Sequence, residues 1–361
     1  MKNKSIKPVL FSSLSLIALT AIQSGLCSPF SIGYQFTNWP NKSVRVCFGN
    51  ASHYALTGMP DIQFDEKQKN DLKNGEVLDE VPADVRLKIK TMIQKEYTLA
   101  RTGITYVGWE TCTPTADNAD AVILMGKKDF SFDFDGYAAV GRNLDGEHNA
   151  VENLEKKAFV YMNRPGTFHK GEGMSDDDFL NILSTHEFGH LSGLAHENFR
   201  MSKKNKDPNC ELTVDGYPDF MANDAAEGEP VNDPRMENVK AFSKYDPNSV
   251  MSYCYWDVLN QATGMKFKQD SKLGEDHKFQ PSDNGMFARG AIYLGDPSLY
   301  KTKKISTTVS EIQIRAGLSL GDIHTLRCLH GAYKPDVAAR KCTLDFDPTR
   351  DPDLLKLVGL R

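Results

Sequence analysis

Apolar positions along this chain recur with two different periods, and the switches between them mark out its elements. Across Ser43 to Phe48, Val44, Val46 and Phe48 alternate with their neighbours, the period of a half-buried strand. Residues 50–80 are polar and rich in turn formers and read as a loop insertion. From Pro82 to Arg101 the period changes: Val85, Ile89, Met92, Ile93, Leu99 and Ala100 fall at helical spacing, with Pro82 where a helix tolerates proline. Ile104 to Trp109 and Ala121 to Met125 are apolar and partly β-branched, as strands are, and Tyr137 to Arg142 and Ala158 to Met162 add two more. Ser175 then offers an N-cap, Asp176, Asp177 and Asp178 place negative charge where a helix dipole favours it, and Phe179, Leu180, Ile182 and Leu183 begin an apolar face. After Arg200 the chain is acidic, Pro-rich and without apolar periodicity until Val239, the pattern of a surface excursion.

The first 27 residues have a different character. Lys2, Lys4 and Lys7 precede an apolar run from Val9 to Ile22, the layout of a secretory signal, too short and serine-studded for a membrane span. Cleavage is expected around residues 21–28; Leu26 before Cys27 disfavours a lipoprotein. The expected product is secreted or periplasmic, with no stable membrane association. Its net charge, −5 for the whole chain, becomes about −8 without those lysines, which argues against nucleic acid as a partner. Beyond Cys27 six cysteines remain, an even number that fits disulfides in an exported chain, and none shows Cys-x-x-Cys spacing. The preferred pairs are Cys47 with Cys112, Cys210 with Cys254, and Cys328 with Cys342.

The chemistry concentrates in His186-Glu187-Phe188-Gly189-His190-Leu191-Ser192-Gly193-Leu194-Ala195-His196-Glu197. Positions four apart share a helix face, so His186 and His190 can grip one ion. Glu187 is placed to touch a water on that ion, and Gly193 can take the positive φ that bends the chain and returns His196 as a third ligand. Three imidazoles with an open fourth position describe a catalytic zinc site, one Zn2+ per chain, rather than a structural one. The bland reading is an amphipathic helix carrying surface histidines. The other six histidines are scattered and read as surface or packed residues. Asp129, Asp133 and Asp135, and Asp215, Asp219 and Asp224, lack the spacing of a calcium loop and read as solvated turns.

These twelve residues resemble the zinc signature of the metzincin metallopeptidases, and Glu197 after the third histidine is similar to the astacins within that clan. Tyr245-Asp246-Pro247-Asn248-Ser249-Val250-Met251-Ser252-Tyr253 resembles the clan's methionine turn, with Met251 lying 55 residues after His196. Arg315 to Ile323 resembles the astacin approach to the last helix, and Tyr137 to Arg142 the astacin edge strand. The resemblance implies an α+β fold of two lobes. The N-terminal lobe, about 28–196, holds a mixed sheet and long helices; the lobe of about 197–335 is mostly irregular and ends in a helix, with 336–361 as a tail. It further implies that His186, His190 and His196 bind zinc, with Tyr253 as a further, movable ligand that stabilises the reacting carbonyl. Glu187 is then the general base, and Glu197 fixes a mature N-terminus that signal cleavage alone could supply. The chain departs from the astacin pattern in reading Thr102-Gly103-Ile104 where a cysteine is usual, and in leaving no room for a typical propeptide.

The function implied is hydrolysis of peptide bonds in protein or peptide substrates. Two alternatives stay open: a zinc-bearing binding or adhesion module without catalysis, and a peptidase of another metzincin family, matrixin-like or serralysin-like. Intact Glu187 speaks against the first and Glu197 against the second.

Overall fold

The computed structural model describes residues 33–34, 39, 41–59, 67, 70–71, 74, 77–128, 135–141, 156–168, 175–196, 239–240, 242, 249–251, 301–302, 312–313 and 317–357. Two short antiparallel ladders, β1 (Gly33–Tyr34) with β8 (Val239–Lys240) and β9 (Lys301–Thr302) with β10 (Ile312–Gln313), lie outside the main sheet. That sheet has six strands: β2 (Ser43–Phe48), β3 (Leu78–Asp79), β4 (Thr105–Thr111), β5 (Ala121–Gly126), β6 (Gly136–Ala138) and β7 (Ala158–Met162). Its order is β4-β2-β5-β7-β6, with β3 added antiparallel to β5. The pairs β4/β2, β2/β5 and β5/β7 are parallel, and β6 runs antiparallel at one edge. The mixed sheet and its helices are consistent with the expected α+β class. Every residue of β5 and β7 is buried, as befits central strands covered on both faces.

The expected helix from Pro82 to Arg101 is in fact two, α1 (Ala83–Glu96) and α2 (Leu99–Thr102). The break has a packing cause. Tyr97 leaves the helical path and turns fully inward, where its hydroxyl donates to the Thr185 carbonyl across 2.6 Å. Thr98 then caps the second helix by accepting from the Arg101 amide. A buried hydroxyl finds its partner and the helix gives way. The ring of Tyr97 meets Tyr106 edge-on, and Tyr106 meets Phe188 in the same manner. Trp109, at φ 75° in a bulge of β4, stacks on Phe188. This aromatic layer joins the sheet to α3 (Asp176–Leu191), which also packs on α1, β6 and β7.

Part of the expected loop at residues 50–80 is ordered into a 3-10 turn, Ala51–Leu56, capped by Asn50, and into β3. The expected strand Ile104 to Trp109 lies one residue later at its start and runs on to Thr111. At the C-terminal end, α4 (Leu320–Leu329) is followed by α5 (Pro335–Lys341) and α6 (Pro352–Leu357), with Leu354 fully buried. Disulfides join Cys47 to Cys112 and Cys328 to Cys342; the expected partners Cys210 and Cys254 lie outside the described residues, as does the leader of residues 1–27. Among the described residues no helix is long and apolar enough to cross a membrane.

Three further histidines are packed rather than exposed: His53, His324 and His330. The Nε2 proton of His330 goes to the Ser192 carbonyl at 2.9 Å, while its Nδ1 has no partner. Burial, opposed by that carbonyl, pulls its pKa from 6.5 down to about 4. The unfolded chain therefore takes up this proton below about pH 6.5 and the folded one only near 4, so the stability is present above that window and is lost as pH falls through it. The unfolding free energy of the wild type, minus that of His330→Gln, should decline by about 3 kcal/mol between pH 6.5 and 4. Denaturant titrations across that range check this, and a pH-independent difference would contradict it.

Candidate metal centre

Helix α3 begins as its sequence requires. The Ser175 hydroxyl accepts from the Asp178 amide at 3.1 Å, and three aspartates occupy the first turn. From Phe179 onward nearly every residue is buried, including His186, Glu187 and His190. The helix ends at Leu191. Gly193 then takes φ 98°, with its amide on the His190 carbonyl and the Leu194 amide on the Gly189 carbonyl, and the chain doubles back. This reversal returns His196 to the face that carries His186 and His190. Its Nε2 lies 2.9 Å from Nε2 of His190 and 3.3 Å from Nε2 of His186. One ligand atom from each of the three histidines falls within 4.8 Å of the other two.

Their orientation is fixed from behind. Nδ1 of His186 donates to the Val250 carbonyl and Nδ1 of His190 to the Leu194 carbonyl, both at 2.8 Å. A carbonyl only accepts, so each ring carries its proton on Nδ1 and presents a bare Nε2 inward. Burial drives all three pKa values down, to about 4 for His186 and about 3 for His190, with each ring further discouraging charge on the next. The imidazoles are neutral, the form that ligates metal. Two nitrogens on one tetrahedral ion at ~2.0–2.1 Å stand about 3.3 Å apart, and the separations from His196 to the other two rings are close to that.

Glu187 is buried beside them, and its Oε2 has no hydrogen-bond partner among the described residues. Burial first, and the charge of Asp135 second, hold its pKa well above the usual carboxylate range. An unpaired, buried carboxyl oxygen on the helix that carries two of the converging imidazoles fits a site built around a cation and a polar reactant.

Long-range contacts hold the end of α3. Trp39 donates its indole proton to the Leu191 carbonyl at 2.7 Å, His330 serves Ser192, and the Gly141 amide serves His190 at 2.8 Å. Beneath the site, residues 249–251 form a turn that the carboxylate of Asp322 organises. Its Oδ1 accepts from the Ser249 hydroxyl at 2.6 Å, and its Oδ2 from the amides of Val250 at 3.1 Å and Ser319 at 3.0 Å. Asp322 thereby sets the carbonyl that orients His186. Met251 is buried under α3, where a Cβ at Gly189 would come within 2.5 Å of its sulfur.

The expected site residues His186, Glu187 and His190 thus meet, and His196 joins them. Tyr253 and Glu197 lie outside the described residues. Asp322 was not singled out as a support for the site, although Ser319-x-x-Asp322 reads as a capping box and the carboxylate does cap α4. Asp135 and Gly136, which border Glu187, carry no motif that would mark them.

No family model matches the chain and no curated protein matches it. It is similar to a solved structure, that of myroilysin, at 14% identity and a TM-score of 0.37, over 83% of this chain and 98% of that one. At that distance the chemistry has to be read from the site's own geometry.

Removing the carboxylate that braces the turn should loosen the ligand behind which it sits. Asp322→Ala is expected to weaken metal binding by roughly 10–100-fold, the usual cost of losing an outer support. Competition titration against a chromogenic chelator measures this; wild-type affinity in the variant would show that the turn holds His186 without Asp322.

Proposed function

We propose that the chain is an exported, zinc-dependent endopeptidase of the metzincin kind, astacin-like in its motifs and divergent in its cysteines. The observation that carries this is the convergence of three histidine Nε2 atoms at the end of a helix on which the residue after His186, Glu187, is a buried carboxyl group with one oxygen unpaired among the described residues. Alone, such lone pairs repel; around a divalent cation they become ligands. His186, His190 and His196 would hold the zinc. Bound there, the metal supplies a Lewis acid that polarises a carbonyl and lowers the pKa of its water from ~15.7 toward ~7.

Glu187 supplies the proton traffic. Its carboxylate takes a proton from the attacking water and returns it to the leaving amine, a role typically worth 10²–10⁴ in rate. By resemblance, Tyr253 donates its hydroxyl to the developing oxyanion. The substrate is a protein or peptide in extended form, which can add to the outer side of β6, an edge of the main sheet adjoining α3. Pairing of Ala139 with Phe159 and of Asp135 with Asn163 turns the alternate residues Gly136 and Ala138 toward that outer side. The two disulfides support an exported location. The chain's division into lobes of about 28–196 and 197–335 belongs to the same proposal.

A binding module without catalysis explains the histidines but leaves Glu187 without a purpose. A buried carboxyl oxygen lacking a partner costs about 1–3 kcal/mol, which a pure binder has no reason to retain.

Purified protein should contain one zinc per chain and cleave casein or a fluorogenic peptide. A chelator should abolish cleavage and added zinc restore it. Glu187→Gln should keep the metal and lose at least ~100-fold in kcat. Metal-free active protein, or an active Glu187→Gln variant, would sink the proposal.

A further inference from the structure

Gly136 opens β6, and its backbone gives no reason for a glycine. It is absent from the positive-φ glycines, so any residue could adopt its conformation, and an ordinary side chain would make a better strand. The reason lies in the space beside its Cα. A Cβ there would press on Oε1 of Glu187, lie 2.7 Å from Cδ of Glu187 and lie 2.7 Å from Cδ1 of Leu183. The three nearest atoms are all side-chain atoms of α3, and two belong to the carboxylate of Glu187.

We propose that Gly136 is a positioning residue for Glu187: the side chain missing from the edge strand leaves the carboxylate its working position in the site. This rests on the reading of Glu187 as the proton carrier. Oε2 has no hydrogen-bond partner among the described residues. The neighbouring strand confines Oε1, and the strand is firmly placed. The Asp135 carbonyl accepts from the Asn163 amide at 2.7 Å, the Ala139 amide donates to Phe159 at 3.0 Å, and the Gly141 amide reaches the His190 carbonyl at 2.8 Å. With backbone fixed on both sides, an added methyl displaces the end of a side chain. Leu183 can yield by changing rotamer among other apolar groups. Glu187 can yield only by moving the atoms that exchange the proton, and misplacement by about 1 Å can cost ~100-fold in rate.

Gly136 on this view contributes nothing to metal binding and little to folding, which separates it from a merely structural glycine. The test compares wild type, Glu187→Gln, Gly136→Ala, Gly136→Ala/Glu187→Gln and Gly136→Ala/Leu183→Val. Gly136→Ala should lower kcat at least ~100-fold with KM little changed. Its zinc affinity should stay within about threefold, and its thermal midpoint should stay level or rise, as expected for alanine replacing glycine in a strand. Adding Glu187→Gln to Gly136→Ala should cost far less than it costs in the wild type, because the carboxylate is already out of place. The Leu183→Val background relieves the other crowded contact and should remain slow.

Wild-type kcat in Gly136→Ala overturns the proposal, and so does full recovery on adding Leu183→Val. A loss of zinc affinity parallel to the loss of rate assigns the glycine to folding instead. Crystal structures of Gly136→Ala and wild type decide the displacement without any assay: a carboxylate that has not moved refutes it. If the wild type itself cleaves no peptide, the peptidase reading falls separately, and the crystallographic comparison still tells whether Gly136 places Glu187.

Discussion

Three ring nitrogens are made to face one another, and the rest of the structure is arranged so that they cannot turn away. The carbonyls of Val250 and Leu194 take the Nδ1 protons of His186 and His190, which leaves unshared electron pairs converging on one point. In an apolar interior that convergence is unfavourable for neutral rings and worse for protonated ones, as the depressed pKa values record. A cation at the centre would turn repulsion into bonding. On the proposed function, metal binding offsets that local cost, and binding and local order become two sides of one equilibrium.

Rigid surroundings make such a cost sustainable. The last turn of α3 would ordinarily leave carbonyls without donors, yet here they are served by Trp39, Gly141 and His330, drawn from parts of the chain distant in sequence. Between helix and sheet, Tyr97, Tyr106 and Phe188 interlock edge to face, Trp109 stacks on Phe188, and the Tyr97 and Tyr106 hydroxyls bond the helix backbone. The helix cannot roll without breaking several buried contacts at once. Its two histidines inherit that rigidity.

How much of this is legible in the sequence depends on the range of the interaction. Ser175 and the three aspartates after it announce the start of α3, and Gly193 its end, because caps and reversals are local. β5 and β7 stand out as unbroken apolar runs because both their faces are covered. The break at Tyr97 is not legible, since the helical period continues through it and the cause lies 88 residues away at Thr185. Nor is the early end of β6 at Ala138, three residues before Gly141, whose amide leaves the sheet for the His190 carbonyl. Asp322 hides in a capping box, its second duty visible only once residues 249–251 lie beside it. Gly136 carries no sequence signal, because the space it leaves is occupied by a residue 51 positions later.

Those two less visible residues divide the site along a chemical line. Asp322 acts through residues 249–251 on a ligand, so its influence falls on how tightly and in what orientation the ring of His186 is held. Gly136 borders the Glu187 carboxylate from the sheet edge, so its proposed influence falls on proton transfer. The two supports approach from different elements, α4 below and β6 beside, and share no contact among the described residues. Substitutions on one side should therefore combine almost additively with substitutions on the other, whereas pairs on the same side should not. On the proposed function, metal retention and turnover are separately adjustable properties of one small cluster. Such a chain would lose catalysis by a single methyl group at its sheet edge while keeping its ion, its fold and every residue of its motif.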